Sequence, residues 1–505
     1  MKKTIVLSTV LIAVVCFLRC NNPSSTNGSG SPATVFSPVP FPNVSIPGFT
    51  FPENADTINT WLTNDDSAEM TLHGWGIWAG LTAASGYTPD SSGNFAYVFE
   101  TWDSPTDLQD SMSDVKMLGA TASGNTRIRQ QLQVPRQFEH EANNARIFMQ
   151  KSHGLSATNK GHETPCDSPQ SNVGVYPLLV TVAYDIPAAS HIVNNKLFDS
   201  SALAKMYNDG KTDIPEFPNT SIAIKPTYEV IPQSAVAGGF FPFRVWSGPN
   251  FCDSGYNQPQ WPGLVYIDVN NASNGNGSID MNNSGKNAGN SYNLNSFIYY
   301  RLTPQQADDL VKSKADKDAK AGDYVILVGM HVTSKEIKRW TWQTFWWSPN
   351  TTTPPMPSSA YIAGKRPSQI TGAPAHYAMA LAYTFTMPNQ PYTGGSKTGV
   401  SQIAFNPFLE AGFGSAGTNN AFYSPGIVVN PGGGVTLNKV GCQTNCMSCH
   451  AIATFAPNTP VNPNLFLQPG NYIPDTYIDM KTDSNFKNRV KLDFLWSIQA
   501  SLLSK

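Results

Sequence analysis

Two thiols and an imidazole stand close together near the end of the chain, in Cys446-Met447-Ser448-Cys449-His450. Thiols three residues apart lie on one side of a helical turn. There each can add to one vinyl group of the same porphyrin, and the adjacent histidine falls beneath the iron. This C-x-x-C-H spacing is the pattern of c-type haem attachment. With 7 cysteines and 8 histidines in 505 residues, chance places it in on the order of one such chain in a thousand. Other chemistries of a C-x-x-C pair fit less well. Zinc needs four ligands, commonly with a second Cys or His pair, and no second pair of such spacing exists. A thioredoxin-like pair follows a buried strand, whereas NPGGGVTLNKVGCQTN, which precedes this one, shows none. A disulfide between Cys446 and Cys449 is the plain alternative. We therefore expect one covalent haem c on Cys446 and Cys449, with His450 as axial ligand.

Iron held in this way takes Met, His or no side chain on its other face, and that choice sets its potential and its openness to small ligands. Met480 is the first candidate. It stands 30 residues after His450, past the Pro- and Gly-containing loop from Ala456 to Pro474, the placement from which small cytochromes deliver a distal methionine. His331 is its rival: in the apolar run YVILVGMHV an imidazole must find a partner or face outward. Met330 points to the opposite face of the same strand.

Four tryptophans and a phenylalanine crowd the eight residues Trp340 to Trp347, WTWQTFWW. Alternation puts Trp340, Trp342 and Trp346 on one face of a strand, where core packing is the expected role and a haem-facing wall the alternative. His140, Glu141, His153 and His162 match no metal-ligand spacing and read as surface residues. Cys166 and Cys252 can form a disulfide in an exported chain. Cys442, four residues before the motif, is a competing partner, so the connectivity stays open.

The elements that must position these groups begin with Lys2, Lys3 and the mostly apolar run Ile5 to Leu18, which together read as a signal peptide over residues 1–20. A flexible linker over 21–44 follows, beginning NNPSSTNGSGS. Cys16 and Cys20 lie at the junction as sites for lipid attachment to a membrane surface, with Cys20 better placed. Charged residues make up only 13%, the net charge is -2 and the Lys and Arg residues are scattered. A nucleic-acid binder would carry a basic stripe. Residues 45–437 read as one large β-rich domain. Asn94–Trp102, Tyr176–Tyr184, Thr220–Ile231, Gly263–Val269, Tyr324–Val332 and Tyr377–Met387 are its expected strands. Thr303–Ala319 opens with a Thr cap and an early proline and reads as a helix, as does Glu139–Lys151. Asn270–Asn295 reads as a solvated loop. In the haem segment, residues 438–505, Val490, Phe494, Leu495, Ile498 and Leu502 recur at helical spacing. At 68 residues the segment is short for an independent cytochrome, so the large domain is expected to supply part of the haem's wall. The fold class is α+β, mostly β, with the large β-rich domain followed by a small α-helical cytochrome c-like haem segment.

The segments GWGIWAGLT, YVFETWD, SIAIKPTYEVI, YVILVGMHVTSKEIKRWTWQTFWW, FNPFLEAG, NCMSCHAIA and LDFLWSI together resemble a family of bacterial exported cytochrome c-like proteins with one C-x-x-C-H motif behind a large N-terminal region. The resemblance implies haem at Cys446, Cys449 and His450, and electron transfer with a redox partner protein or electron acceptor. The periplasm or a membrane surface is the expected location. Nearly 400 residues exceed what a simple carrier needs, so two alternatives stand. One is a haem-dependent oxidoreductase with its substrate site in the large domain, the other a haem-bearing surface or binding protein.

Overall fold

Two long apolar runs, IAIKPTYEVI and YVILVGMHVTS, pair along almost their whole length and form the middle of one sheet. The computed structural model describes residues 37–87, 96–118, 132–133, 176, 178–248, 258–411, 426–430, 434–438, 445–457 and 477–502, and all of them fall in the compact unit Thr34–Lys505. The strands in chain order are β1 (Leu178–Val180), β2 (Ala183–Tyr184), β3 (Ile222–Ile231), β4 (Phe240–Arg244), β5 (Leu264–Asp268), β6 (Ser291–Asn293), β7 (Tyr299–Arg301) and β8 (Tyr324–Ser334). They continue with β9 (Thr341–Trp347), β10 (Tyr377–Ala382), β11 (Thr386–Met387), β12 (Val400–Ser401), β13 (Gly426–Asn430), β14 (Gly434–Asn438), β15 (Thr454–Phe455) and β16 (Val490–Lys491).

The main sheet runs β1-β3-β8-β9-β10, with β2 also on β3 and β7 also on β8, and every pairing in it is antiparallel. The fold is thus α+β with antiparallel sheets; ten α-helices accompany the strands among the described residues, so helix carries a larger share than a mostly β reading expects. The run Tyr176–Tyr184 is divided in two for a visible reason. β1 ends opposite Thr227 and β2 resumes opposite Ile224, and Pro226, which has no N–H to give to a ladder, falls in the gap. Its carbonyl is still used, by Thr181 N–H at 3.2 Å. Thr220–Ile231, Gly263–Val269 and Tyr324–Val332 become β3, β5 and β8, whereas Asn94–Trp102 gives a 3-10 turn at Val98–Thr101.

Register divides the sheet into two faces. Lys225, His331, Thr344 and Ala380 form one row across β3, β8, β9 and β10; Ala223, Thr333, Trp342 and Ala382 form the next row on that same face. Val332, Gln343 and Leu381 point the other way. Helix α1 (Ala55–Asn64) and helix α2 (Ser67–Leu81) begin at the caps Asn54 and Asp66. On the second face Trp78 of α2 stacks on Phe345 at 4.3 Å. Gly76 and Gly80 let the N-terminal segment cross α2 closely, since a Cβ on either would overlap the ring of Phe49 or Phe41.

The helix expected over Thr303–Ala319 is present as Pro304–Lys312, with Thr303 and Gln306 in a reciprocal capping box. It stops early, at a left-handed Lys314 with φ 60°. The continuous C-terminal helix is also shorter than its periodicity suggests. Val490 lies in β16, Asp493 and Phe494 take left-handed φ values of 47° and 67°, and only Trp496–Ala500 is helical. The apolar repeat is nevertheless used, because Val490, Phe494, Leu495 and Ile498 are all buried. The Asn-rich region is an organised loop: Asp268 accepts from Asn270 N–H, Ala272 N–H and Ser273 Oγ, and Asp280 accepts from three further backbone N–H groups. Glu139–Lys151, the signal and linker residues up to Phe36, Cys16, Cys20, Cys166, Cys252, Cys442, His140, Glu141, His153 and His162 lie outside the described residues. No helix among the described residues is long and apolar enough to cross a membrane.

Candidate haem site

The motif forms the short helix Cys446–Ala451. Asn445 starts it by accepting the Ser448 N–H at 2.7 Å, and the amide of the same side chain donates to the carbonyls of Phe385 and Gln402 at 3.2 and 3.1 Å. A parallel bridge joins Ala404 to Asn445, and Cys446 Sγ lies 3.5 Å from the Ala404 carbonyl. One asparagine therefore caps the helix and ties it to the large region. Cys446, Cys449 and His450 stay partly exposed while Met447 and Ser448 between them are buried. The three groups that would touch a porphyrin are thus turned to one accessible side, and the remainder of the turn is packed away.

His450 is oriented from the opposite direction. Its Nδ1 donates to the Phe494 carbonyl at 2.7 Å, which assigns the proton to Nδ1 and leaves the lone pair on Nε2, the arrangement of a ligating histidine. Burial pushes its pKa down to about 3, with the Phe494 carbonyl opposing and the nearby Lys225 among the groups that assist. The ring is therefore neutral at ordinary pH. The carbonyl reaches it because Asp493 and Phe494 both take left-handed backbone angles, a costly conformation for residues other than glycine and one that concentrates at functional sites. Trp496 Nε1 donates to the Cys449 carbonyl at 2.9 Å.

The large region closes the other side. Trp342, 3% exposed, holds its ring 4.5 Å from that of His450, with its own Nε1 donating to the Arg339 carbonyl at 2.8 Å. The WTWQTFWW segment thus supplies a wall against the motif through Trp342. Trp346 shares that face of β9; Trp340 precedes the strand, in the turn with φ 63°, and is buried in the same apolar cluster as Trp342. Trp347 points the other way and stacks on Phe297 at 4.1 Å.

Of the two expected partners for the iron's other face, Met480 is 2% exposed and belongs to the same apolar cluster as Phe455, Phe486 and Val490. Its N–H donates to the Tyr392 carbonyl and its own carbonyl accepts from Lys491 Nζ. His331 is two residues along the same face of the sheet from Thr333, which is paired with Trp342. Its Nε2 lies 2.9 Å from Glu410 Oε1. Lys225 is its direct partner across β3; burial pushes the Lys225 pKa down to about 8, while Glu410 and Cys446 act to raise it. The Phe494 carbonyl, Lys225 and Glu410 are the site groups that spacing alone did not single out. A charge set in an apolar run is the signal that could have found the last two: Glu410 alone in FNPFLEAG, and Lys225 beside Glu229 in SIAIKPTYEVI.

Among the described residues no three His, Cys, Asp or Glu side chains gather to hold a bare metal ion. Two thiols beside one imidazole fit a metal that brings its own equatorial ligands, as the iron of a porphyrin does. No family model, curated protein or solved structure matches the chain.

Proposed function

We propose that this chain is an exported c-type cytochrome, which transfers electrons through one haem held by thioether bonds to Cys446 and Cys449, with His450 as axial ligand. The observation that carries the reading is the direction of His450. Its Nδ1 is committed to the Phe494 carbonyl, so Nε2 is the ligand atom, on the helix that also turns both thiols to its accessible side. When bound, the haem supplies a one-electron couple; the chain fixes the ligand's tautomer, packs Trp342 over the imidazole and excludes water from that side. The residues 438–505 would then be the haem-bearing segment, docked on the large region through Asn445. Location in the periplasm, or at a membrane surface through a lipid on Cys20 or Cys16, belongs to the same reading, as does exchange of electrons with a redox partner protein or electron acceptor.

Expression in a host competent for haem attachment tests this. The protein is expected to keep its colour through acid-acetone extraction and denaturing electrophoresis, and Cys446→Ala with Cys449→Ala to lose it entirely. Colourless wild-type protein from such a host would sink the reading.

A second reading, a haem-dependent oxidoreductase with its substrate site in the large region, draws on Lys225, His331 and Glu410 as convergent polar groups. The coordination of the iron separates the two: a carrier has a six-coordinate iron, whereas an enzyme of this kind keeps a position open.

A further inference from the structure

His331 and Glu410 form a pair whose geometry is one-sided. Glu410 is an acceptor at both oxygens, Oε1 from His331 Nε2 at 2.9 Å and Oε2 from the Asn406 N–H at 2.5 Å. With the carboxylate on Nε2, the proton of a neutral His331 resides there and the lone pair is on Nδ1. That Nδ1 atom is buried and has no hydrogen-bond partner among the described residues. A buried acceptor left without a partner is costly and calls for an explanation. An imidazole that donates one N–H to a carboxylate and keeps the other nitrogen bare is the usual arrangement of a metal-ligating histidine with its supporting group.

The surroundings point the same way. His331 lies one diagonal step, roughly 7–8 Å between such positions, from Trp342 on the same sheet face, and Trp342 carries the His450 ring. Glu410 is delivered by the segment Ala404–Glu410, whose first residue accepts from Cys446 Sγ. The middle of that segment is fixed to the sheet by Asn406, which donates to Thr344 Oγ1 at 2.9 Å and to the Phe345 carbonyl at 2.9 Å. One short segment therefore touches the motif thiol at one end and positions His331 at the other. Met480, whose backbone alone has polar partners here, lacks an equivalent device.

We infer that His331, through Nδ1, is the second axial ligand of the haem and that Glu410 is its positioning residue, so that one ligand would come from the central sheet and the other from the motif helix. This rests on the haem reading above. Glu410 lends the imidazole anionic character, which favours ferric iron and lowers the potential.

The test is spectroscopy and potentiometry of the intact holoprotein. Ferric wild type is expected to be low-spin and to lack the far-red sulfur-to-iron band. His331→Ala should keep covalent haem, turn high-spin and return to low spin on adding free imidazole. His331→Met, a second variant in case the first folds poorly, should gain the sulfur band. Glu410→Gln should stay low-spin with a midpoint potential higher than wild type. A sulfur band in wild type that disappears in Met480→Ala, a five-coordinate wild type, or a His331→Ala spectrum identical to wild type would overturn the inference while leaving the haem reading standing. Protein without covalent haem would overturn both.

Discussion

The sheet carries a histidine–glutamate pair on each side, and the two are finished differently. His73, on α2, is satisfied at both nitrogens: Nδ1 meets Tyr383 Oη at 2.6 Å and Nε2 meets Glu336 Oε1 at 3.0 Å. Glu336 also accepts from Ser334 Oγ and from the Glu53 N–H, and Gln343 Nε2 donates to Tyr383 Oη at 2.7 Å. All the side chains in this set are buried. His331, facing the motif, has its Glu410 but leaves Nδ1 bare. A histidine satisfied at both nitrogens helps to fix a core, even though Gln343 Oε1 in the same set has no partner among the described residues, whereas an imidazole with one bare nitrogen has a place for something else. The same two residue types thus do structural work on one face and are open to chemistry on the other.

The comparison breaks most readily at His73. His73→Ala leaves the buried Glu336 without its imidazole and is expected to cost about 4 kcal/mol, as loss of one partner of a buried pair does. His331→Ala in the haem-free protein should cost about 1 kcal/mol, because only one hydrogen bond is given up. Urea denaturation of both variants measures the two, and equal or reversed costs would remove the distinction. Tyr383→Phe is a smaller intervention on the closed side. It deletes the hydroxyl between His73 and Gln343 and should cost about 2 kcal/mol by leaving buried polar atoms unpaired.

The gentlest perturbation is pH. Glu229 is another buried carboxyl, and its side chain accepts from the Gln258 amide at 2.8 Å; burial pushes its pKa up to about 8 from 4.5, the amide working against this. A carboxyl whose pKa is higher in the folded state gives its full support below the unfolded value and loses it as pH rises towards the folded one. Stability should therefore fall between about pH 4.5 and 8, at no more than about 1.4 kcal/mol per pH unit from this group. Glu229→Gln, which stays uncharged, should flatten the slope in thermal melts across that range. Asp185, raised to about 8 by burial against two backbone hydrogen bonds, contributes a slope of the same sign, so the variant should leave some of it.

Much of this arrangement was legible as runs and motifs. Long buried strands announce themselves because both faces are apolar, and β3, β5 and β8 stand where the runs are. The Thr303 cap and Pro304 mark a helix start because they answer local backbone needs. The C-x-x-C-H motif is local in the same sense. What could not be read were the meetings between distant segments. That Phe494 offers its carbonyl to His450 depends on two left-handed residues which the helical period of RVKLDFLWSIQASLL hides. That Trp342 rather than Trp340 meets His450 depends on where β9 begins. The split of the Tyr176–Tyr184 strand is set by a proline on its partner, some forty residues away in sequence. His73 and Glu410 acquire their meaning only once α2 and the Ala404–Glu410 segment have been laid on opposite faces of the sheet.

The double use of Asn445 bears on the order of assembly. In the folded chain its side chain caps the motif helix and at the same time grips the carbonyls of Phe385 and Gln402, while Met447 beside it is completely buried. Thioether formation requires an attaching enzyme to reach both thiols of an extended motif, and a helix docked in this way presents them only along one side. On the proposed haem reading, loading would come before the last docking step, with the large region already able to receive the segment. Asn445 would act as the latch that closes behind the cofactor, and a chain that docked too early would be sealed against its own maturation.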